Sequence, residues 1–105
     1  MATGARFAKW FADRASFALQ DRIIETPDLQ KVRSVYQPLG SVFTVMPWNL
    51  PFYLPIKSSV PNLLAGNTVL LKPAPSTPQT GLELQDLMEQ AGLSNGEFLT
   101  LFADN

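Results

Sequence analysis

From Ser34 to Leu82 the chain carries no acidic residue, and its only charges are Lys57 and Lys72. Eight of the nine prolines, Pro38 to Pro78, fall in this same stretch. A long run without charge must be buried somewhere, because solvated surface is normally rich in charge. Its first uninterrupted part, residues 34–56, is 23 residues long and could cross a bilayer by length alone. Pro38, Pro47, Pro51 and Pro55 interrupt it, and Gln37 and Asn49 sit inside it. Such a segment cannot satisfy its own backbone in lipid, so it reads as protein interior, with no membrane partner.

The flanks differ. Residues 1–33 hold six of the eight basic residues and four of the nine acids. From Glu83 onward the charges are all acidic: Glu83, Asp86, Glu89, Glu97 and Asp104. With a formal net charge of −1, nothing favours nucleic acid. Cysteine and histidine are both absent. That excludes a disulfide scaffold, a thiolate zinc site, a cysteine nucleophile and a histidine base within these 105 residues. The missing cysteines suit a reducing compartment, so the expected location is cytoplasmic. A weaker mitochondrial reading rests on Arg6, Lys9, Arg14 and Arg22 among aromatics, and Asp13 and Asp21 oppose it.

The order of elements follows from periodicity. Phe7, Trp10, Phe11, Ala15, Ala18 and Leu19 recur at three- and four-residue steps and predict a packing helix over 5–19, ended by Thr26-Pro27-Asp28. Residues 32–37 alternate and predict a strand leading to a turn at Pro38-Leu39-Gly40. Residues 41–46 are β-branched and apolar, as in a strand buried on both faces. A Pro-distorted helix is expected over 51–65, a strand over 68–72, and a helix opening at Ser76, Thr77 and Pro78 and closing at Gly92. Leu82, Leu84, Leu87, Met88 and Ala91 form that last helix's apolar stripe, and 98–102 reads as a final strand. The fold class is therefore α/β. Over 41–102 the order β-α-β-α-β gives half of a doubly wound, Rossmann-like parallel sheet, preceded by an N-terminal helix.

Ligands of open α/β sheets lie beyond the carboxyl ends of the strands. Two such ends are visible: Met46-Pro47-Trp48-Asn49 and Lys72-Pro73-Ala74-Pro75. Neighbouring parallel strands would bring them together. The first turn lacks Gly-x-Gly-x-x-Gly, so pyrophosphate cannot bind there in the usual dinucleotide manner. Asn49 either donates its amide to a developing oxyanion or satisfies backbone groups in a turn. Lys72 stands where many dinucleotide folds place an acid for the ribose hydroxyls. It suits a 2′-phosphate, with Ser76 or Thr77 as further donors, or it simply extends its amine from a buried strand to water. Trp48, Phe52 and Tyr53 form an aromatic group without a basic groove, which favours packing over nucleic-acid stacking.

Tyr36-Gln37-Pro38-Leu39-Gly40, Met46-Pro47-Trp48-Asn49-Leu50-Pro51, Ala65-Gly66-Asn67-Thr68-Val69-Leu70-Leu71-Lys72-Pro73, Thr77-Pro78, Glu89-Gln90-Ala91-Gly92-Leu93 and Gly96-Glu97-Phe98 occur in this order along the chain. In order and spacing they resemble the aldehyde dehydrogenase superfamily over about residues 32–101. The first two motifs are most similar to its succinate-semialdehyde dehydrogenase branch. The resemblance implies NAD(P)-dependent oxidation of a small aldehyde to an acid through a cysteine thiohemiacetal and thioester. It implies that Asn49 is the oxyanion donor, that Met46, Pro47 and Trp48 lie along the cofactor, and that Lys72 meets the adenosine ribose with Ala74 and Pro75 beside it. Many relatives carry glutamate at the position of Pro75, so NADP is slightly favoured over NAD. Family members continue into a glutamate base, a cysteine nucleophile and an oligomerisation hairpin. The resemblance thus implies a truncated portion of the NAD(P)-binding domain, spanning 1–105 and inactive alone. The alternative is a non-catalytic nucleotide-binding module, or one that interacts with other aldehyde dehydrogenase subunits.

Overall fold

The structure is a computed structural model that describes residues 2–103. Asp104, counted among the C-terminal acids above, lies outside the described residues. The elements run α1 (Ala2–Ala18), β1 (Arg22–Thr26), β2 (Leu29–Ser34), β3 (Ser41–Val45), α2 (Tyr53–Leu64), β4 (Thr68–Lys72), α3 (Pro78–Gln90) and β5 (Phe98–Thr100). The expected β-α-β-α-β order is present as β3-α2-β4-α3-β5. Its strands form one parallel sheet in the order β3-β4-β5.

The register ties Ser41 to Thr68 and Val45 to Lys72 on one side of β4, and Val69 to Phe98 on the other. Because the strands advance in one direction, right-handed crossovers place α2 and α3 on the same face. The core confirms this arrangement: Ile56 from α2 and Leu84 from α3 meet Val69, Leu71 and Phe98 of the sheet. Each such burial contributes about 1.5–3 kcal/mol relative to exposure. Helix α1 stacks outside α2, with Phe7 edge-on to Tyr53 at 6.2 Å.

The opposite sheet face departs from expectation. The apolar run over 41–46 predicts a strand covered on both sides, but Phe43 is 53% and Val45 60% exposed. No helix among the described residues crosses to that face. The chain accordingly exposes 7484 Å², where a compact protein of 11.6 kDa exposes roughly 5,800 Å². Its radius of gyration is 16.7 Å, against about 13 Å for a compact chain of this length. The stripe on α3 is likewise only half used: Leu84 is buried and Met88 packs on the core, while Leu82 and Leu87 stay exposed.

Strand β1 is an element the periodicity does not reveal. It pairs antiparallel with β2, which starts earlier than expected, at Leu29, and ends at Ser34. A two-residue turn, Pro27-Asp28, joins them. Arg22 to Glu25 are all exposed, so β1 has no alternation of buried and open positions to betray it. Lys31 adopts a positive φ of 43°.

Proline is tolerated by position. Pro55 falls in the first turn of α2, where its missing N–H has no helical partner to lose. Pro61 lies inside the helix, which still runs to Leu64. After it Gly66 takes φ +86°, and a Cβ there would sit 3.0 Å from Pro38 Cγ. Asn67 then does more than stop a helix. Its buried Oδ1 accepts from the Leu39 N–H at 2.6 Å and the Gly40 N–H at 3.0 Å, fixing the turn before β3 to the start of β4. Thr77 is the N-cap of α3 but makes no side-chain capping bond.

Two outcomes follow from this packing. Asn67→Ala strands two backbone donors and is expected to lower unfolding free energy by about 2 kcal/mol in urea titration; an unchanged midpoint would contradict the role. The open sheet face should bind a hydrophobic dye. The double variant Phe43→Thr, Val45→Thr should reduce that signal while far-ultraviolet dichroism is retained.

Candidate functional site

All three parallel strands point their carboxyl ends to one edge, and the two corners singled out by the sequence meet there. The Met46 N–H donates to the Lys72 carbonyl at 3.0 Å, extending the ladder one step past β3. Beyond that bond the chains diverge, since Pro47 and Pro73 offer no further donors. The gap is a groove of about 420 Å³ lined by Val45, Met46, Pro47, Trp48, Lys72, Ala74 and Pro75. A second groove of about 340 Å³ is lined by Pro73, Ala74, Pro75, Pro78, Phe102 and Ala103. The two share Ala74 and Pro75, so together they make one trough over the edge of the sheet.

Among the described residues lining either groove, Lys72 is the only charged one. It is 7% exposed, at the last position of β4. Trp48, in contrast, is 68% exposed and offers a flat ring at the mouth. The backbone N–H of Thr77 is engaged by the Ala74 carbonyl at 2.9 Å, which shapes the turn into α3.

The structure therefore brings Met46, Pro47, Trp48, Lys72, Ala74 and Pro75 into one groove. Asn49 stands apart: it is exposed and is not among the lining residues. Its side chain makes no hydrogen bond to the described residues. The turn-satisfying role open to it in sequence is thus not used, and the amide is free to donate elsewhere. What sequence reasoning missed is the second groove, built by Pro73, Pro78, Phe102 and Ala103. The signal was present in Thr77-Pro78, which fixes where α3 starts and so where its first turn meets the end of β4. Among the described residues no cluster of carboxylates could hold a metal ion, and no helix is long and apolar enough to cross a membrane.

The sequence profile of the aldehyde dehydrogenase family matches residues 1–105. The chain belongs to that family, and within it lies close to the succinate-semialdehyde dehydrogenases. It is 39% identical over 97 residues to a probable succinate-semialdehyde dehydrogenase (NADP(+)) of Synechocystis sp., covering 92% of this chain and 21% of the relative. It is 41% identical over 102 residues to succinate-semialdehyde dehydrogenase (NADP(+)) 1 of Mycobacterium ulcerans, covering 92% and 22%. In three dimensions it is similar to the succinic semialdehyde dehydrogenase of Streptococcus pyogenes solved with NADP+, with a TM-score of 0.89, 31% identity, and 96% of this chain and 22% of that one covered. The structure of Gox0499 gives a TM-score of 0.91 at 32% identity, covering 97% and 22%. The chain spans about a fifth of the length of the relatives it matches.

Since the Asn49 amide has no protein partner, Asn49→Ala is expected to leave the melting temperature within about 1–2 °C of the parent, as for an ordinary surface change. A loss several times larger would show a structural duty.

Proposed function

We propose that this chain provides the nucleotide-binding corner of an NAD(P)-dependent aldehyde dehydrogenase of the succinate-semialdehyde type, with NADP favoured over NAD. The observation that carries the reading is Lys72: a buried residue and the one charged residue among the described lining of the trough, with Pro75 where an acid would have repelled a 2′-phosphate. The trough also fits in size, since its two parts lie within the range of ordinary ligand clefts, about 300–1,000 Å³ each.

Lys72 donates to the phosphate or ribose oxygens of the adenosine half. Met46 and Pro47 bound the groove where the dinucleotide crosses the sheet edge, and the Trp48 ring excludes water at its mouth. Ala74 and Pro75 form the wall between the two grooves. Asn49 donates its free amide to the oxygen that gains negative charge when an aldehyde is attacked. A bound nicotinamide dinucleotide supplies the hydride acceptor for aldehyde oxidation. With no cysteine among the 105 residues, the thiol that attacks the aldehyde is not supplied by this sequence, and this chain alone does not turn over an aldehyde.

A second reading draws on the exposed Phe43–Val45 face. On it the chain is an interaction module that pairs with full-length aldehyde dehydrogenase subunits, and co-purification with such a subunit tests it.

Calorimetric titration of the chain decides the nucleotide part. Lys72→Met keeps the buried stem and removes the charge. It should weaken NADP by roughly tenfold or more, the worth of a charge-assisted hydrogen bond, and NAD by much less. Pro75→Glu should reverse the preference toward NAD. Equal NADP affinity in the parent and Lys72→Met would remove Lys72 from the site.

A further inference from the structure

The second groove owes its outer wall to the first turn of α3, and the closeness of that turn is decided at Gly81. A Cβ on Gly81 would lie 2.6 Å from Thr100 Cγ2 and 3.0 Å from Pro73 Cγ. The helix backbone therefore rests directly on the ends of β4 and β5. Thr100 holds it there. Its hydroxyl donates to the Gly81 carbonyl at 2.7 Å, and its N–H donates to Gln85 Oε1 at 2.8 Å. The two bonds reach α3 four residues apart, on one face of the helix.

The hydroxyl bond is not needed to satisfy the helix. The Gly81 carbonyl lies inside α3, where the N–H four residues on is its regular partner, and it has a lone pair to spare. What the bond does is fix a distance. Pro73, pressed under Gly81, also lines the groove with Ala74, Pro75, Pro78 and Phe102. Moving the first turn of α3 outward would widen the slot between Pro78 and the 73–75 corner.

We propose that Thr100 is a positioning residue for nucleotide binding. Through its hydroxyl on Gly81 it sets the separation of α3 from Pro73–Pro75, and hence the width of the slot that takes the adenosine half. This rests on the nucleotide reading above. The slot's walls are mainly proline and phenylalanine carbon, which suits a flat heterocycle and tolerates little slack.

The test compares the parent chain with Thr100→Val, Thr100→Ser and Gly81→Ala, each titrated with NADP and each followed by amide hydrogen exchange at residues 81–83. Valine keeps the shape without the hydroxyl; serine keeps the hydroxyl. Thr100→Val should weaken NADP about fivefold, the worth of one net hydrogen bond, with a melting temperature lowered by no more than about 4–8 °C, the effect of the same bond on a chain of this size. Thr100→Ser should bind within about twofold of the parent. Gly81→Ala, which forces the turn outward, should weaken NADP at least as much as Thr100→Val. Exchange at 81–83 should accelerate in Thr100→Val and return toward parent rates in Thr100→Ser. Parent-like affinity and parent-like exchange in Thr100→Val overturn the proposal. If the parent itself takes up no NADP, the nucleotide reading fails, and exchange alone then judges the positioning role. Faster exchange that serine restores supports it, and unchanged exchange sinks it.

Discussion

The structure depends on β4 being hydrogen-bonded along both edges. Β3 occupies one side and β5 the other, both parallel to it. Within it Leu71 is fully enclosed and Val69 nearly so. A strand with no free edge and no free inner face has a single register, since a shift by one residue would turn Val69 and Leu71 out of the core. Once β4 is fixed, the rest is placed by reach. The α2 crossover must land on Val69 and Leu71, and α3 must land on β5. All three carboxyl ends share one edge because all three strands run the same way. Lys72 is the last residue of that central strand, so its placement is as rigid as the core itself.

The same topology explains the open face. Two right-handed crossovers advancing in one direction leave the far side of the sheet bare. Phe43, Val45 and Leu99 are apolar on that side and exposed. Residues of this kind are the chemistry of a surface meant to be covered. The surface beyond that of a compact chain, roughly 1,600 Å² by the area scaling, is twice what each partner of a standard protein interface buries, about 800 Å².

What the sequence discloses is set by what burial does to pattern. Β3, β4 and the two crossover helices were legible because their inner faces are enclosed. Enclosure enforces apolar runs such as Thr68 to Leu71, and turn residues such as Gly66 and Gly92 where they end. The 23-residue uncharged run reads as protein interior, yet residues 34–50 are mostly exposed and only Thr44, Pro55 and Ile56 within the run are buried. Its prolines fall at element ends or first turns, and no helix among the described residues is long and apolar enough to cross a membrane. The hairpin was legible only in its second half. Ile23 and Ile24 favour a strand, yet with both faces of β1 exposed no alternation accompanies them, and Thr26-Pro27-Asp28 reads equally well as an ending. Covered and coverable faces also look alike in sequence, which is why the reading of β3 as doubly buried differs from what these residues achieve. At the groove, Lys72 and Met46 to Trp48 of the Met46–Asn49 corner follow from strand ends alone, while Asn49 lies outside the lining. The clamp of Thr100 and Gln85 on α3 could not, because it joins residues 15 and 19 apart that carry no motif.

The two corners differ in how completely they are prepared. Lys72 is enclosed by its own strand and its neighbours, at 7% exposure. Asn49 is a free donor in water. An oxyanion donor is effective when it is oriented and dry, since water otherwise competes for the same oxygen. On the proposed reading Lys72 is enclosed as its role requires, whereas Asn49 is exposed. On the reading proposed above, binding of the adenosine half and stabilisation of the reacting oxygen are separable: the first rests on β4 and α3, and the second on cover over the corner that follows β3.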